Sequence, residues 1–205
     1  MKRWIALGTA AAAAATGVIA LVDNQAAAHQ DELRAVLRDP AGRTVGTVKF
    51  TIGDHHMLVR AFLRPNRYVA PDAFHGFHVH ANNDSTNGSG CVASPSQPSS
   101  TWFVSADGHL AEPGQTHGHH DGDLPSPLVQ ADGTAVLVFT TDRIDPAVLE
   151  NRAVILHAGA DNFGNVPSGP ATDQYTPNSP AATDKTQKTG NAGDRVACGI
   201  VRSWH

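Results

Sequence analysis

The sequence predicts an all-β domain, a sandwich or barrel of about eight antiparallel strands. Short runs of alternating apolar and polar residues recur along the chain, and turn residues such as Pro-Ala-Gly and Gly-Asp-His separate them. No long run with apolar residues at helical spacing follows the N-terminal segment. Two long stretches, 81–127 and 164–194, interrupt the strands and have the length of functional or disordered loops.

The candidate strands follow one another in chain order. Their alternation is typical of antiparallel strands with one face on a core and the other towards solvent. A single helical turn is expected at DPAVLEN (145–151). The strands are predicted at 32–39 (ELRAVLRD), 43–52 (RTVGTVKFTI), 56–64 (HMLVRAFLR), 76–81 (GFHVHA), 127–130 (PLVQ), 134–141 (TAVLVFTT), 153–159 (AVILHAG) and 195–201 (RVACGIV).

The two long stretches differ in composition. The first contains His109, His117, His119, His120 and Asp123, so we expect it to fold around a ligand. The second is rich in Pro, Thr, Ser and Gly, a composition that predicts mobility over much of its length. Strand-like segments resume after each, so neither is an interdomain linker.

The N-terminus has the pattern of a secretory signal peptide. Lys2 and Arg3 precede an apolar run from Trp4 to Val22, and the small residues of 26–28 form an A-x-A cleavage site that would leave His29 first. The alternative is an uncleaved membrane anchor, but alanine and glycine dominate the run and insert weakly. We therefore predict a signal peptide at 1–28, a single domain at 29–205, and export to the periplasm, the cell envelope or the medium.

The charge balance limits the choice of partners. The chain has 15 Lys and Arg residues against 19 Asp and Glu residues, a formal net charge of −4. Nucleic-acid binding requires a basic surface, so nucleic acid is not an expected partner, and neither is a membrane after signal cleavage. An anionic substrate would have to be attracted by a local positive potential.

Cys91 and Cys198 are the two cysteines of the chain. An even pair in an exported protein normally forms a disulfide, although two buried thiols are the alternative. Closing a loop of this length would stabilise the fold by roughly 4.7 kcal/mol in the chain-entropy account.

Histidine is abundant and clustered, with 12 residues in the chain. In FHGFHVHAN, His78 and His80 lie two apart in a predicted strand, so both imidazoles project from one face. Such a pair is also common on solvated strands, but the accumulation of further histidines in the same part of the chain favours a metal site.

Four segments, taken in order, resemble the copper/zinc superoxide dismutases, particularly the exported bacterial ones. They are GFHVH, DGHLAEPGQTHGHHDGDLP, ILHAGADN and GDRVACGIV, and the resemblance covers about residues 32–202. It implies an eight-stranded antiparallel Greek-key barrel or sandwich with two long functional loops. It also implies copper and zinc as cofactors, and the donor types agree, since imidazole suits both metals and a carboxylate suits zinc.

Carried over position by position, the resemblance assigns the ligands. The copper ligands would be His78, His80 and His157, with His109 as the imidazolate that bridges the two metals. The zinc ligands would be His109, His117, His120 and Asp123.

The zinc segment departs from the family pattern because only Gly118 and His119 separate His117 from His120, whereas the family has a longer spacing. His119 could replace either neighbour, or the site could be filled in part, which would give a copper-dominated enzyme. His55, His56 and His75 match no family role and are interpreted as surface or packing residues.

The remaining motifs imply roles outside the ligand set. Asp161 matches an aspartate that ties a copper-side histidine to a zinc-side one. Arg195 matches an arginine that guides and holds superoxide beside copper, and Lys185 and Lys188 could add to its potential.

The resemblance implies a superoxide dismutase that converts superoxide to dioxygen and hydrogen peroxide as copper cycles between two oxidation states. His109 would release copper, take up a proton and give it to the second superoxide. The alternative is a non-catalytic copper-binding or copper-buffering protein on the same fold, which would need neither Arg195 nor a bridging His109. The family includes monomers and dimers, so a homodimer is compatible with the sequence.

Overall fold

In the computed structural model, residues 32–88, 90–162 and 180–204 are described, and these form nine strands and two short α-helices. The predicted signal peptide lies outside this part of the chain. The elements are β1 (Glu32–Arg38), β2 (Thr44–Ile52), β3 (Met57–Leu63), β4 (Ala73–Phe74), β5 (Phe77–His80), β6 (Leu128–Val129), β7 (Ala135–Thr141), α1 (Pro146–Leu149), β8 (Ala153–His157), α2 (Pro180–Thr189) and β9 (Arg195–Trp204).

Seven strands form one antiparallel sheet in the order β5-β8-β9-β1-β2-β3-β7. Between β3 and β8 the chain crosses from one end of this order to the other three times, which gives Greek-key connections rather than a simple meander. The predicted strand at 127–130 contributes β6, which pairs with β4 in a separate two-stranded ribbon. The sequence pattern did not predict β4, which is two residues long.

The sheet curls around a single apolar core. Phe77 on β5 and Ala135 on β7 lie at opposite ends of the strand order, yet they belong to the same buried cluster. Alternate residues of β1, β2 and β3 fill that cluster, with Leu37, Val48 and Phe50 fully buried. The predicted barrel or sandwich is therefore confirmed, with seven of the eight predicted strands in the main sheet.

Two neighbouring strands are buried on both faces, so polar side chains on their outer face are also shielded from solvent. Every residue of β5 and β8 is buried. Phe77 and Val79 face the barrel core, so His78 and His80 face outwards, where the long stretch 81–127 covers them. This stretch also buries Trp102 and Phe103 in a second apolar cluster against Ile155 of β8.

Part of the second long stretch is ordered as a helix. The expectation of mobility over much of 164–194 falls largely on residues 163–179, which lie outside the described part of the chain, whereas Pro180–Thr189 form the helix α2. The sequence of α2, PAATDKTQKT, contains no large apolar residue, so hydrophobic periodicity could not reveal it. Proline is accepted at its first position, and Lys188 pairs with Asp184 one turn earlier at 2.9 Å. The helical turn expected at 145–151 is confirmed as α1.

The predicted disulfide between Cys91 and Cys198 is present, with a Cα–Cα distance of 5.5 Å and a sequence separation of 107. It fastens the stretch 81–127 to β9. No helix in the described ranges is both long and apolar enough to cross a membrane.

Replacing both cysteines by serine should lower the free energy of unfolding by about 2–4 kcal/mol, because the unfolded chain regains the entropy of a large loop. Urea unfolding of the oxidised wild type and of the double variant would measure this difference. Reduced wild type is the control and should match the variant. Equal stability of the oxidised wild type and the variant would contradict the expectation.

Candidate metal centre

Four buried histidines converge on the outer face of β5 and β8. His78 and His80 come from β5, His157 ends β8, and His109 is brought alongside by an isolated bridge to His80. One ring nitrogen from each lies within 4.8 Å of those of the other three. All four residues have less than a tenth of their surface exposed.

Hydrogen bonds fix the tautomers of two of these rings. Nδ1 of His80 lies 2.8 Å from the carbonyl oxygen of Asp107, and Nδ1 of His157 lies 3.0 Å from that of Gly193. A carbonyl oxygen only accepts, so the proton of each ring must be on Nδ1. The Nε2 atom of each ring therefore carries a lone pair, and it is buried without a hydrogen-bond partner in the described structure.

His78 is held through its other nitrogen. Its Nε2 lies 2.9 and 3.1 Å from the two carboxylate oxygens of Asp161, so Nδ1 presents the lone pair and has no partner among the described residues. A buried polar atom without a partner is costly. Three such lone pairs facing one another are the arrangement that a cation with a preference for imidazole would satisfy.

His109 belongs to two groups of donors at once. Its Nε2 is buried without a partner in the described ranges. Its Nδ1 faces the other way, 3.0 Å from Oδ1 of Asp123 and 3.1 Å from Nδ1 of His120.

The second group is centred on Asp123. Its Oδ1 lies 3.0, 3.2 and 3.4 Å from the Nδ1 atoms of His109, His117 and His120, respectively. Ligands bound to zinc at about 2.0 Å with tetrahedral geometry are separated by about 3.3 Å. The spacing therefore fits a small tetrahedral ion, and the close spacing of His117 and His120 in the sequence does not prevent it.

The two groups share more than His109. A donor atom of His78 also lies within 4.8 Å of those of His109, His117 and Asp123. The ring centroids of His78 and His109 are 4.0 Å apart. His120 lies outside this second set of four and reaches it through its contacts with Asp123 and His109. His119, the suggested substitute for its neighbours, is exposed.

Burial keeps these imidazoles neutral, which is the form that binds a metal. Desolvation, followed by the charge of His109, lowers the pKa of His78 to about 2. Desolvation and then His78 lower the pKa of His157 to about 3. The pKa of His80 is also lowered, first by burial, then by His109 and Arg195.

The carboxylate of Asp123 is kept ionised. Burial acts to raise its pKa, but hydrogen bonds from His109 and His117 outweigh burial and hold the pKa well below the usual value. The group around Asp123 thus provides one negative charge and three imidazoles.

Asp161 links the two groups. Besides its contacts with His78, its Oδ1 lies 3.6 Å from Nε2 of His117, and its Oδ2 accepts from the hydroxyl of Ser126 at 3.1 Å. Burial raises the pKa of this carboxyl, with the charge of His117 opposing it.

A glycine and the helix α2 allow this packing. A Cβ atom added to Gly190, which has a φ of +60°, would lie 2.6 Å from Oδ1 of Asp161 and would also collide with Nε2 of His117. The carbonyl of Gln187 in α2 accepts from the backbone N–H of His117 at 2.7 Å. Sequence reasoning missed both contributions; glycine beyond a polar run is a helix C-cap signal, but the contacts depend on tertiary structure.

Arg195 lies beside the first group. Its guanidinium donates to the carbonyl oxygens of Phe103 and Asp107, each at 2.6 Å. Its charge contributes to lowering the pKa values of His80 and His157. Burial lowers the pKa of Arg195 itself, and Asp107 opposes this shift. Lys188 is paired with Asp184 on the surface, and the side chain of Lys185 lies outside the described part.

The three histidines without a family role divide as packing and surface residues. His75 is fully buried, with Nδ1 2.9 Å from the carbonyl of His157 and Nε2 2.8 Å from that of Ala70. It therefore contacts the backbone at the end of β8. His55 and His56 are exposed.

A sequence model of the family described as "Copper/zinc superoxide dismutase (SODC)" matches residues 44–201 of this chain. The chain belongs to the copper/zinc superoxide dismutase family. Its function is therefore that of an oxidoreductase acting on superoxide, with copper and zinc as cofactors.

Mycobacterial proteins are among the similar relatives. This dismutase is 36% identical to "Superoxide dismutase [Cu-Zn]" of Mycolicibacterium paratuberculosis over 170 residues, which cover 80% of this chain and 71% of that protein. It is 36% identical to the protein of that name from Mycobacterium tuberculosis over 174 residues, 83% of this chain and 70% of the relative. A crystal structure titled as that of the clock protein EA4 matches with a TM-score of 0.59 at 27% identity, covering 84% of this chain and 94% of that one.

Acid should destabilise the metal-free dismutase. His78 and His157 have folded-state pKa values of about 2 and about 3, below the ordinary value of 6.5. Below about pH 6.5 the unfolded chain binds protons at these rings while the folded chain does not, so stability falls as pH falls. The loss should be about 2 kcal/mol per histidine between pH 7 and pH 5.

Urea unfolding of the metal-free protein at several pH values between 7 and 5 would measure this dependence. In His157→Gln the slope of the unfolding free energy against pH should decrease by the amount that corresponds to about one bound proton. His56→Gln, which alters an exposed ring, is the control and should leave it unchanged. A wild type with the same stability at both ends of the range would contradict the account.

Proposed function

We propose that this dismutase binds copper through His78, His80 and His157, with His109 bridging to zinc, and binds zinc through His109, His117, His120 and Asp123. The observation that carries the proposal is a set of buried ring nitrogens that have no partner among the described residues, namely Nδ1 of His78 and Nε2 of His80, His109 and His157. The zinc assignment is supported by the contacts of 3.0–3.4 Å around Oδ1 of Asp123.

Copper, when bound, supplies the one-electron chemistry that oxidises one superoxide to dioxygen and reduces another to peroxide, and zinc supplies a fixed positive charge beside it. The protein holds the imidazoles so that little reorganisation accompanies the electron transfer. Asp161, Gly193 and Asp107 each accept a ring N–H and thereby orient one copper ligand.

His109 is proposed as the proton carrier. Its Nδ1 faces the zinc group and its Nε2 faces the copper group, so Nε2 is the atom that can take up a proton. A proton held there would be one of the two that a reduced superoxide needs to become hydrogen peroxide, and solvent would supply the other. Burial lowers the pKa of His109, so the metal-free ring is neutral at pH 7 and one of its two nitrogens carries a lone pair.

Arg195 is proposed to attract and hold superoxide. The protein carries a formal net charge of −4, so attraction of an anion must be local. The guanidinium is only partly buried, and two carbonyl groups fix it beside the copper ligands. A copper-buffering protein would have no use for this group.

Arg195→Ala should lower the rate of superoxide decay per bound copper by about 10-fold, since a fixed charge-assisted contact is lost. The dependence of the rate on ionic strength should flatten as well. Arg202→Ala removes an exposed arginine from the same strand and is the matched control. Copper content would be measured in each variant and should be unchanged. A wild type no more active than free copper would favour the copper-buffering alternative, whereas an Arg195→Ala variant of full activity would overturn the role proposed for Arg195.

Asp123→Ala should lose zinc and keep most of its copper, because the three imidazoles proposed to bind copper alone, those of His78, His80 and His157, are unchanged. Elemental analysis of protein reconstituted with both metals would test this. Asp121→Ala is the control, since the carboxylate of Asp121 contacts Gln115 and no ring nitrogen in the described contacts. Wild type that holds copper but no zinc after reconstitution with excess zinc would overturn the zinc assignment.

Export is proposed from the N-terminal pattern, with 1–28 removed as a signal peptide and 29–205 as the mature domain. The disulfide supports an oxidising location. A relative from Brugia pahangi, 31% identical over 176 residues, carries the name "Extracellular superoxide dismutase [Cu-Zn]". N-terminal sequencing of the protein recovered outside the cytoplasm should begin at His29, and a chain that starts at Met1 would reject cleavage.

A further inference from the structure

Asp107 is the residue at which two parts of the proposed site meet. Its carbonyl oxygen accepts from Nδ1 of His80 at 2.8 Å and from the guanidinium of Arg195 at 2.6 Å. One backbone oxygen therefore orients both a proposed copper ligand and the group proposed to hold superoxide. The direction of this carbonyl group depends on the backbone conformation of Asp107.

Residues other than glycine rarely adopt that backbone conformation. Asp107 has φ of 65° and ψ of −161°, a region occupied almost only by glycine. A residue with a side chain persists there only when its surroundings over-determine it. The carboxylate of Asp107 is the part that could supply such restraint, because glycine would have none.

The carboxylate is fully engaged. Oδ2 accepts from the backbone N–H groups of Asn83 at 2.6 Å and Asp84 at 2.9 Å, and Oδ1 accepts from the side-chain amide of Asn87. The segment 83–87 follows β5, the strand that carries His78 and His80. The side chain of Asp107 thus connects the end of the ligand strand to the turn before His109.

We propose that Asp107 is a positioning residue whose carboxylate, fastened to segment 83–87, holds its own carbonyl in the direction that orients Arg195 and His80 together. This inference rests on the proposed roles of those two residues. Unlike His80 and Arg195, Asp107 would touch neither the metal nor the substrate, and it would act only by orienting those two residues.

A purely electrostatic role makes the opposite prediction. The carboxylate is a negative charge near the guanidinium, so removing it would strengthen the attraction of an anion. If positioning dominates, removing the carboxylate should weaken anion binding instead. The carbonyl oxygen of Asp107, which accepts from both the guanidinium and the ring of His80, would no longer be held in place. The sign of the change separates the two roles.

The experiment compares Asp107→Ala with Asp84→Ala in protein loaded with copper and zinc. Each variant removes one carboxylate from the same loop region, but Asp84 uses its side chain only to cap Thr86 in the described contacts, and its backbone N–H remains for Asp107. The readouts are the rate of superoxide decay, the affinity for azide followed by copper absorption, and the Cu(II) electron paramagnetic resonance spectrum.

Asp107→Ala should lower the decay rate and the azide affinity by about 10-fold each and should alter the Cu(II) spectrum. Asp107→Asn keeps the side-chain shape and one acceptor oxygen, so it should restore both quantities to within about 2-fold of wild type. Asp84→Ala should retain the wild-type spectrum and should not lose rate.

Asp107→Gly keeps the test decisive if the alanine variant does not fold, since glycine adopts this conformation without strain. It should fold, show faster hydrogen exchange at the amides of Asn83 and Asp84, and still lose azide affinity. Unchanged or raised rate and azide affinity in Asp107→Ala or Asp107→Gly, with an unchanged Cu(II) spectrum, would overturn the inference. If Arg195→Ala also has no effect, the proposed function fails with it; if Arg195→Ala behaves as expected, this inference alone fails.

Discussion

Backbone carbonyls and one carboxylate decide which nitrogen of each buried histidine carries the proton, and the proposed metal centre depends on that choice. His80 and His157 give their N–H to carbonyl oxygens, and His78 gives its N–H to Asp161. The opposite nitrogens are left as buried lone pairs that face one another. Because burial keeps the rings neutral, the protein presents donors at neutral pH rather than a cluster of mutually repelling charges.

Two of the three acceptors that fix these rings come from the long loops, one from each, at positions where other contacts hold the backbone. Asp107 lies in the stretch 81–127, which the disulfide fastens to β9. Gly193 follows α2, whose Gln187 holds the backbone of His117. The barrel provides the rigid strands β5 and β8, and the loops provide the orientation. A loop that shifted by an ångström would change both the ligand geometry and the position of Arg195.

The alternation of apolar and polar residues along the strands made the fold predictable. The pair His78 and His80 indicated the face on which a metal would lie. The other proposed ligands were predictable only through resemblance, since His109, Asp123 and His157 are distant in sequence. The close spacing of His117 and His120 argued against a regular zinc group, yet the chain turns at Gly118, with a φ of +89°, so that both rings face Asp123. Asp107, Gly190 and α2 could not be found from the sequence, because their contributions are backbone contacts and close approaches rather than residue types.

Anomalous X-ray diffraction at the copper and zinc absorption edges, on crystals of protein reconstituted with both metals, tests the central claim most directly. The account predicts two ions that share His109, with copper on Nε2 and on the rings of His78, His80 and His157, and with zinc on Nδ1 and on Asp123, His117 and His120. A single ion, or copper bound to Asp123 while the buried nitrogens of His80 and His157 remain without a metal, would contradict it.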